Sequence, residues 1–555
     1  MCKAGRSKHW LPSRLIHIGS FVQSPKLINS SLLQRGTKYT TLSHCWGDGP
    51  TLKLTKDALS DFRLAIPLQS MPQTYVDAIA VTKRMGVEYI WIDSLCIIQD
   101  SVDDWRKECR EMAHVYKNGY CNIAALEATD SGGGCFSKRD PSLLKPVIIQ
   151  SHWKGCRNVI WHWKFHRHLR HMYDEIDNSP VHGRGWVLQE RLLSPRNLHF
   201  GEHMIYWECR HSIASENSIP REPNSKHHLI FQGESNIDMI AQDGYLQKWA
   251  LIVESFTSAS LSYDTDKLVA ISALAKEMQK IFDCGTKLDC NYLAGLWLAH
   301  LAQQLLWFSA DSSLARRLHN GAPTWSWASP DGPVRYRLWA KEKWDQNILI
   351  RIQKARVFAS GTDTFVEVTG GILELKCWLW ELDEAWNEPS VCEARYTDII
   401  TETKVFNFHG WSPLFRDATY STMISLGLDD VNGSRGSDGQ CFLLPVKLDI
   451  YADTTLDDPD DDDGTYGELV GLILGATGSK FCRIGTFSIR VSKRNTLFSN
   501  LAVSKPYRWI KSIGVEGRRK GLFKPHRSEL SELSVPTTEE EVKAQFWSRF
   551  IISIV

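Results

Sequence analysis

Two neighbouring stretches of the chain have hydrophobic patterns that predict a helix followed by a buried strand. Residues 73–85 carry apolar side chains at helical spacing, and Gly86 suits the end of that helix. Residues 87–92 are apolar except for Glu88 and rich in β-branched and aromatic types, as in an interior strand of a parallel sheet. A shorter strand is predicted over residues 39–43. Strand, helix and strand at this spacing predict a βαβ unit with a parallel pair.

Polar residues follow the second strand directly. Asp93 and Ser94 stand at its carboxyl end, which is the edge where open α/β sheets bind their ligands. The same residue types often cap turns and helices. Position alone therefore supports a capping role and a functional role about equally.

The clearest helix of the chain is predicted between Ser101 and Gly119. Its inward face is predicted from four residues that recur at intervals of four, three and four: Trp105, Cys109, Met112 and Tyr116. Glu108 borders this face, and a partly buried carboxyl group has a raised pKa that suits acid/base or electrostatic roles. An ion pair of Glu108 with Arg184, Arg191 or Lys83 explains the same position equally well.

The hydrophobic pattern of the chain changes twice after this helix. A short helix containing Glu190 and a β-hairpin around Gly201 come next, and an amphipathic helix is predicted over residues 291–308. From Pro323 onward the pattern is β-rich. The expected fold class is α/β, a parallel sheet flanked by helices, followed by a helical segment and a β-rich C-terminal region. We expect four parts: an α/β domain with its leading strands (residues 1–211), a polar linker and helical region (212–322), a β-rich region (323–505) and a C-terminal tail (506–555).

Composition narrows the class of protein without naming a function. Hydrophobic residues make up 43% of the 555 and charged residues 23%, which is ordinary for a globular protein. Lys plus Arg (65) almost balance Asp plus Glu (64), so no basic field argues for a nucleic-acid partner. The 14 Cys show no regular framework, and neither a secretory signal nor a membrane-spanning stretch is evident. These features predict a cytoplasmic protein without a membrane partner.

Common motifs for metals and nucleotides are missing from the sequence. No P-loop, GxGxxG, GxSxG, HExxH or CxxC pair occurs. The nearest candidates for metal ligands are His162, His166 and His168, and the pair Cys209 and His211, but neither set has a partner cluster at conventional spacing. We therefore predict no metal and no bound cofactor.

Three blocks of the sequence resemble the signature blocks of the fungal heterokaryon incompatibility (HET) domain. The first is Tyr39-Thr-Thr-Leu-Ser-His-Cys-Trp-Gly47. The second begins at Met71-Pro72, includes Trp91-Ile-Asp-Ser-Leu-Cys-Ile-Ile-Gln-Asp100 and continues from Asp104 to Tyr116. The third is Arg184-Gly-Trp-Val-Leu-Gln-Glu-Arg-Leu-Leu-Ser-Pro-Arg196. The blocks occur in the order and at the spacing of that family. The domain covers roughly residues 35–195. Three later segments resemble the usual downstream region of such proteins, so the resemblance extends over most of the chain: residues 266–271, 323–329 and 471–485.

The resemblance implies a cytosolic fungal protein that acts in self/non-self recognition and triggers cell death when activated. HET domains have been likened to Toll/interleukin-receptor (TIR) domains, whose α/β fold can cleave NAD⁺ through a glutamate. Carried over to this chain, Glu108 is the catalytic candidate, Asp93 supports it, and NAD⁺ is a substrate. The implied pocket is lined by Ser43, Trp46, Gly47, Ser94 and Trp105. The implied partner is a second copy of the chain or another incompatibility protein.

Two other functions fit the same sequence. The blocks could form the core and a homotypic surface of a non-catalytic signalling module, so that death follows from recruitment of a partner. A role as an accessory protein of a fungal secondary-metabolite pathway is a further alternative.

Overall fold

The computed structural model describes a large part of the chain in separate ranges. They are residues 10–19, 23–47, 49, 52–139, 147–151, 161–165, 169–216, 218–221, 242–261, 263–285, 290–310, 316–336, 348–377, 379–382, 422–428, 441–452, 465–492, 523–524 and 551–555. The chain divides into two compact units, one of residues 1–240 with 259–261 and one of residues 241–258 with 262–555. The finer division into four parts stays a prediction.

The first unit alternates strands and helices. Its strands and helices, in chain order, are β1 (Arg14–His17), β2 (Lys26–Asn29), β3 (Thr40–Ser43), α1 (Leu59–Leu64), α2 (Gln73–Arg84), β4 (Tyr89–Trp91), α3 (Asp93–Cys96), α4 (Val102–Asn118), β5 (Asn122–Ala125), β6 (Val147–Ser151), β7 (Trp161–Phe165), α5 (Leu169–Asp177), α6 (Gly185–Leu193), β8 (Arg196–Phe200), β9 (Ile205–Cys209), β10 (Ser212–Ser215) and β11 (Ser218–Arg221).

Nine of these strands form one mixed sheet in the order β11-β10-β9-β8-β5-β3-β4-β1-β2. The four central strands, β8, β5, β3 and β4, pair in parallel. The strands outside them pair antiparallel. The α/β class, the parallel strands flanked by helices and the β3-α2-β4 unit are therefore confirmed, and the sheet as a whole is mixed. Hairpins at both sides of the parallel centre add strands that run the other way, and one of these hairpins joins the centre through the long-range pairing of β1 with β4.

The order of the parallel strands creates a switch point beside β3. From β3 the chain moves to β4 on one side, and then crosses back to β5 and β8 on the other side. In open α/β sheets a crevice forms at the carboxyl ends of the strands where the direction of winding reverses. A ligand site is therefore expected at the carboxyl ends of β3 and β5.

The last residue of β3 and the residue after it point to opposite faces of the sheet. Ser43 points to the face covered by α4 and α6, where it contacts Glu190 of α6. His44 points to the other face, where it contacts Tyr75 of α2. Successive side chains of an extended chain point to opposite faces. Side chains from this segment therefore lie on both faces of the sheet at its carboxyl edge.

Helix α4 buries a slightly different face from the predicted one. The buried residues of this helix are Glu108, Met112, Val115, Tyr116 and Asn118, whereas Trp105 and Cys109 are only half-buried. Glu108 thus lies within the inward face rather than at its border. The apolar spacing alone could not reveal this, because the residue that faces inward is charged. Glu108 faces inward toward Arg14 of β1.

In its described residues, the second unit joins two long helices and one short helix to a largely β structure. Its described strands and helices are α7 (Gln242–Thr257), α8 (Lys267–Gly285), β12 (Tyr292–Leu293), β13 (Leu296–Trp297), α9 (Leu301–Gln304), β14 (Trp307–Ser309), β15 (Val334–Tyr336), β16 (Arg351–Ala359), β17 (Val368–Lys376), β18 (Trp380–Leu382), β19 (Thr422–Leu428), β20 (Cys441–Ala452), β21 (Thr465–Thr477), β22 (Lys480–Ser492), β23 (Phe523–Lys524) and β24 (Ile551–Ile554). Strands β16 to β24 form a second nine-stranded sheet, so the β-rich C-terminal region is confirmed.

The predicted long helix over residues 291–308 is wrong. The chain instead forms the hairpin of β12 and β13, one turn of helix in α9, and strand β14. Ala294 and Gly295 both have positive φ at the hairpin turn, with φ values of 46° and 100°. The indole N–H groups of Trp249 and Trp327 donate to Gly295 O at 2.8 and 2.7 Å. These long-range contacts hold the turn against the local helical pattern.

Candidate functional site

Ser43 is the last residue of β3 and begins a cluster of polar side chains at the switch point. Its hydroxyl donates to Glu190 Oε2 and accepts from Asn122 Nδ2, at 3.0 Å for the latter. Asn122 opens β5, so this serine links the two strands on either side of the switch point. Because Ser43 and Glu190 are buried, the bond between them is shielded from water.

Glu190 is a carboxyl group buried in this cluster, with 2% of its surface exposed. It lies on α6 and faces Tyr116 of α4, whose hydroxyl donates to Leu42 O at 3.4 Å. Burial raises the pKa of Glu190 from 4.5 to about 7, although Arg184 and the Ser43 hydrogen bond act in the opposite direction. A buried carboxyl group that titrates near neutrality is a common property of functional sites.

Arg184 brings the positive charge of the cluster. It stands at the cap position of α6, and Nη1 donates to the carbonyl oxygen of His44. Nη2 lies 3.7 Å from Asp93 Oδ2, and 30% of the side chain is exposed. The guanidinium group therefore reaches the surface at the carboxyl edge while it remains anchored to the chain just after β3.

Asp93 joins the cluster from the end of β4. Trp46 Nε1 donates to its Oδ2 at 3.0 Å, and the Ser94 amide donates to its Oδ1 at 2.8 Å. The capping role weighed from the sequence does not describe this residue, because Ile92 occupies the cap position of α3. Asp93 is instead shared by an indole, a backbone amide and the guanidinium of Arg184.

Ser94 lies on the opposite side of the same edge. Its hydroxyl is 2.7 Å from the hydroxyl of Tyr75, which in turn is 3.2 Å from His44 Nε2. Burial lowers the pKa of His44 from 6.5 to about 4, so this imidazole is neutral at physiological pH. The chain of hydrogen bonds fixes the backbone around Ser94 and His44 rather than placing a charge there.

Gly47 shapes the turn after Trp46. It has a φ of +70°, and a Cβ atom at this position would lie 2.3 Å from Asp130 Cβ. Asp130 belongs to the loop that follows β5, whose Ser131 hydroxyl donates to Trp46 O at 3.3 Å. The glycine thus lets the segments after β3 and β5 approach each other at the switch point.

Replacing Gly47 by alanine is expected to lower the free energy of unfolding of the first unit by about 1–2 kcal/mol. The added Cβ meets both a left-handed backbone and the Asp130 side chain. Gly86→Ala separates the two effects, since Gly86 has a φ of +66° with nothing within 4 Å of its Cβ position. Hydrogen exchange of the β3 and β5 amides is the measurement, and an equal loss in both variants would contradict the role of the contact.

Glu108 lies in a different cluster. Only 1% of it is exposed, and its Oε1 is 3.6 Å from Arg14 Nη2 and 3.8 Å from Lys107 Nζ. Arg14 also donates to Asp104 at 2.5 Å and to Cys96 O at 2.6 Å. The ion pair weighed from the sequence thus exists, but with Arg14 of β1 rather than with Arg184, Arg191 or Lys83. Trp105 is half-buried one turn before Glu108 on the same helix.

Sequence reasoning placed Ser43, Trp46, Gly47, Asp93 and Ser94 at one edge, and the structure brings these residues together. It did not single out Glu190 or Arg184 as site residues. A signal for Glu190 was present, because an acidic residue stands among apolar ones in the run Val187-Leu-Gln-Glu-Arg-Leu-Leu193. Such a residue in a buried helix needs a partner, although the run does not say which.

The sequence offered two sets of candidate metal ligands. Within the described ranges, no group of three or more His, Cys, Asp or Glu is placed to hold a metal ion. His166 and His168 lie outside the described residues, as does the side chain of His162. Cys209 Sγ lies 3.4 Å from the hydroxyl of Ser212.

Residues 39–190 match the family model of the heterokaryon incompatibility protein (HET). This segment of the chain is a HET domain. No curated protein and no solved structure matches the chain. The HET domain begins just before β3 and ends at Glu190, so it contains every member of the polar cluster at the switch point. Arg14, the partner of Glu108, lies outside it.

None of the described helices is long and apolar enough to cross a membrane.

Proposed function

We propose that the chain is a cytoplasmic effector of heterokaryon incompatibility that triggers cell death, and that its HET domain is a TIR-like enzyme that cleaves NAD⁺. The observation that carries the proposal is the convergence of Trp46, Asp93 and Arg184 at the carboxyl edge of the parallel strands. An aromatic ring, a carboxylate and a guanidinium at such an edge suit a dinucleotide that carries a cationic nicotinamide ring and anionic phosphates.

The proposed reaction is a hydrolysis. The bond between C1′ of the ribose and the nicotinamide nitrogen breaks, and its electron pair leaves with neutral nicotinamide. Water adds to C1′ and releases one proton to solvent, which yields ADP-ribose. A carboxylate close to C1′ stabilises the positive charge that develops as the bond breaks. Asp93, with 13% of its side chain exposed, reaches the edge, whereas Glu108 would need the helix face to open before it could contact a substrate.

The test is release of nicotinamide from NAD⁺ by the purified full-length protein at concentrations that allow self-association. Asp93→Asn is expected to lower the rate by about 100-fold or more, because the amide has the shape of the acid without its charge. Glu108→Gln tests the catalytic role proposed for that residue. Glu111→Gln is the matched control, since Glu111 stands on the same helix but is 40% exposed and pairs with His114.

A rate of Glu108→Gln equal to that of the control would remove Glu108 from the mechanism. An equal rate for Asp93→Asn as well would remove the proposed site. No release of nicotinamide by the wild type in the presence of toxicity in a fungal host would overturn the enzymatic function.

Burial supports a second candidate, a non-catalytic module that recruits a second copy or another incompatibility protein. Glu108 and Glu190 are 1% and 2% exposed, as expected of residues that hold a core together. This function predicts that Asp93→Asn and Glu108→Gln leave toxicity intact on expression in a fungus. Loss of toxicity in either well-folded variant would argue against it.

A further inference from the structure

The charge of one guanidinium group, that of Arg184, influences two carboxyl groups at the switch point. Arg184 lies 3.7 Å from Asp93, and Glu190 is close enough for its charge and that of Arg184 to influence each other. Asp93 reaches the surface, whereas Glu190 is buried beneath it. With both carboxyl groups ionised, the cluster carries a net negative charge and repels an anion. With Glu190 neutral, Asp93 and Arg184 balance each other.

A second cation borders the same edge. Lys53 Nζ lies 5.0 Å from the centre of the Trp46 ring, and the indole N–H of Trp46 is bonded to Asp93. Lys53 thus lies over the ring of Trp46, and Arg184 lies beside the carboxylate that this ring binds. Guanidinium groups bind phosphate oxygens in pairs, and an ammonium group adds a point charge.

We propose that Arg184 binds the phosphate of a nucleotide-type ligand at this edge, and that Glu190 takes up a proton when the ligand binds. Glu190 does not touch the ligand in this proposal. It is a positioning residue that acts through Arg184 and Ser43. The choice of an ADP-ribosyl ligand rests on the proposed function, whereas the phosphate chemistry and the proton uptake rest on the cluster itself.

Glu190 is the group in its surroundings that titrates near neutral pH. The groups that face it are Arg184 at the start of its own helix, Tyr116 of α4, Asp93 of α3, and Ser43 and Cys45 of β3 and its extension. Burial raises the pKa of Tyr116 well above 10 and that of Cys45 above 9, so both stay neutral. An anion bound at Arg184 disfavours the ionised form of Glu190. By linkage, the same anion binds more tightly when Glu190 is protonated.

The experiment is calorimetric titration of the full-length protein with ADP-ribose, which lacks the bond that would be cleaved, from about pH 6 to about pH 8.5. The wild type is expected to bind more weakly as the pH rises above 7, by up to about tenfold per pH unit, because one proton is exchanged. Titrations at pH 7.5 in two buffers of different ionisation enthalpy measure the proton uptake directly.

Glu190→Gln is the decisive variant, because glutamine keeps the shape of a neutral carboxyl group and cannot ionise. We expect it to bind ADP-ribose at high pH as tightly as the wild type binds at low pH, with no proton uptake. Arg184→Gln is expected to lose binding at every pH. Glu175→Gln is the matched control, since Glu175 is a half-buried glutamate of the same unit that bonds Tyr206 instead, and its pH profile should equal that of the wild type.

The outcomes separate this proposal from the enzymatic one. Binding that depends on pH and on Glu190, without release of nicotinamide, would support the site and overturn NAD⁺ cleavage. Release of nicotinamide with binding that does not change with pH, or that changes equally in Glu190→Gln, would overturn the role of Glu190. Absence of ADP-ribose binding by the wild type at low pH would overturn the phosphate site.

Discussion

Replacing Arg191 by methionine is expected to lower the free energy of unfolding of the first unit by about 3–5 kcal/mol. Arg191 of α6 is 3% exposed and donates through Nε and Nη2 to both oxygens of Glu208 on β9, at 2.8 and 3.1 Å. Nη1 donates to Asp177 at the end of α5, at 2.7 Å. Removal of the arginine leaves the buried carboxylate of Glu208 with His199 as its other close partner.

The cost of this change depends on pH. Burial alone would raise the pKa of Glu208, but Arg191 and the hydrogen bonds hold that pKa well below 4.5. A carboxyl group with a lowered pKa contributes stability that is present above about pH 4.5 and is lost as the pH falls through its folded pKa. The difference between the wild type and Arg191→Met should therefore be largest near neutral pH and shrink in acid.

Hydrogen exchange of the β8 and β9 amides measures this loss in the first unit alone. The double variant Arg191→Met with Glu208→Met is the control, because it removes the buried charge together with its partner. It is expected to recover a large part of the lost stability. A double variant as unstable as Arg191→Met would show that packing of the arginine stem, rather than the unpaired charge, carries the effect.

Glu190→Gln is expected to raise the free energy of unfolding above pH 7, by at most about 3 kcal/mol. Burial raises the folded pKa of Glu190 from 4.5 to about 7. Between these two values the folded state holds a proton that the unfolded state releases. Stability of the wild type therefore falls as the pH rises through this window and stays low above it. Glutamine removes the titration and keeps an oxygen that accepts from Ser43.

The measurement is the difference in free energy of unfolding between variant and wild type at a series of pH values, since other titrating groups cancel in the difference. It should be close to constant below about pH 4.5 and grow up to about pH 7. A difference that does not change with pH would mean that folding leaves the pKa of Glu190 unchanged, and would also contradict the proton uptake proposed above. Asn197→Ala, which removes a hydrogen bond to Arg191 O in the same cluster region, should give a pH-independent difference.

The polar cluster was partly predictable. The sequence placed Ser43 and Asp93 at the ends of two adjacent parallel strands, and strands of that kind end at the same edge. It could not join them to Arg184 and Glu190. These residues bond to His44 O and to Ser43 at the end of β3, from 140 and 147 residues away. Nothing in local periodicity records which helix closes over a strand end.

For Glu108, the sequence predicted the position of the residue but not its partner. Its helix, its neighbours and its place beside the apolar face all follow from the spacing of the sequence. Its partner does not, because Arg14 comes from a strand on the far side of β4. Whether Glu108 is catalytic or structural thus depends on β1, an antiparallel strand that the βαβ pattern did not include.

The sequence by itself determined the βαβ unit, the helices α2 and α4, the resemblance to the HET domain and the edge at which polar residues gather, because each depends on spacing within a short stretch. Only the tertiary structure decided that hairpins make the sheet mixed and that residues 291–308 turn instead of forming a helix. It also decided that Glu190 is buried against Ser43, close to the Arg184 that faces Asp93. The physical reason is common to all three, since contacts between residues distant in sequence outweigh local preference when they satisfy buried polar groups.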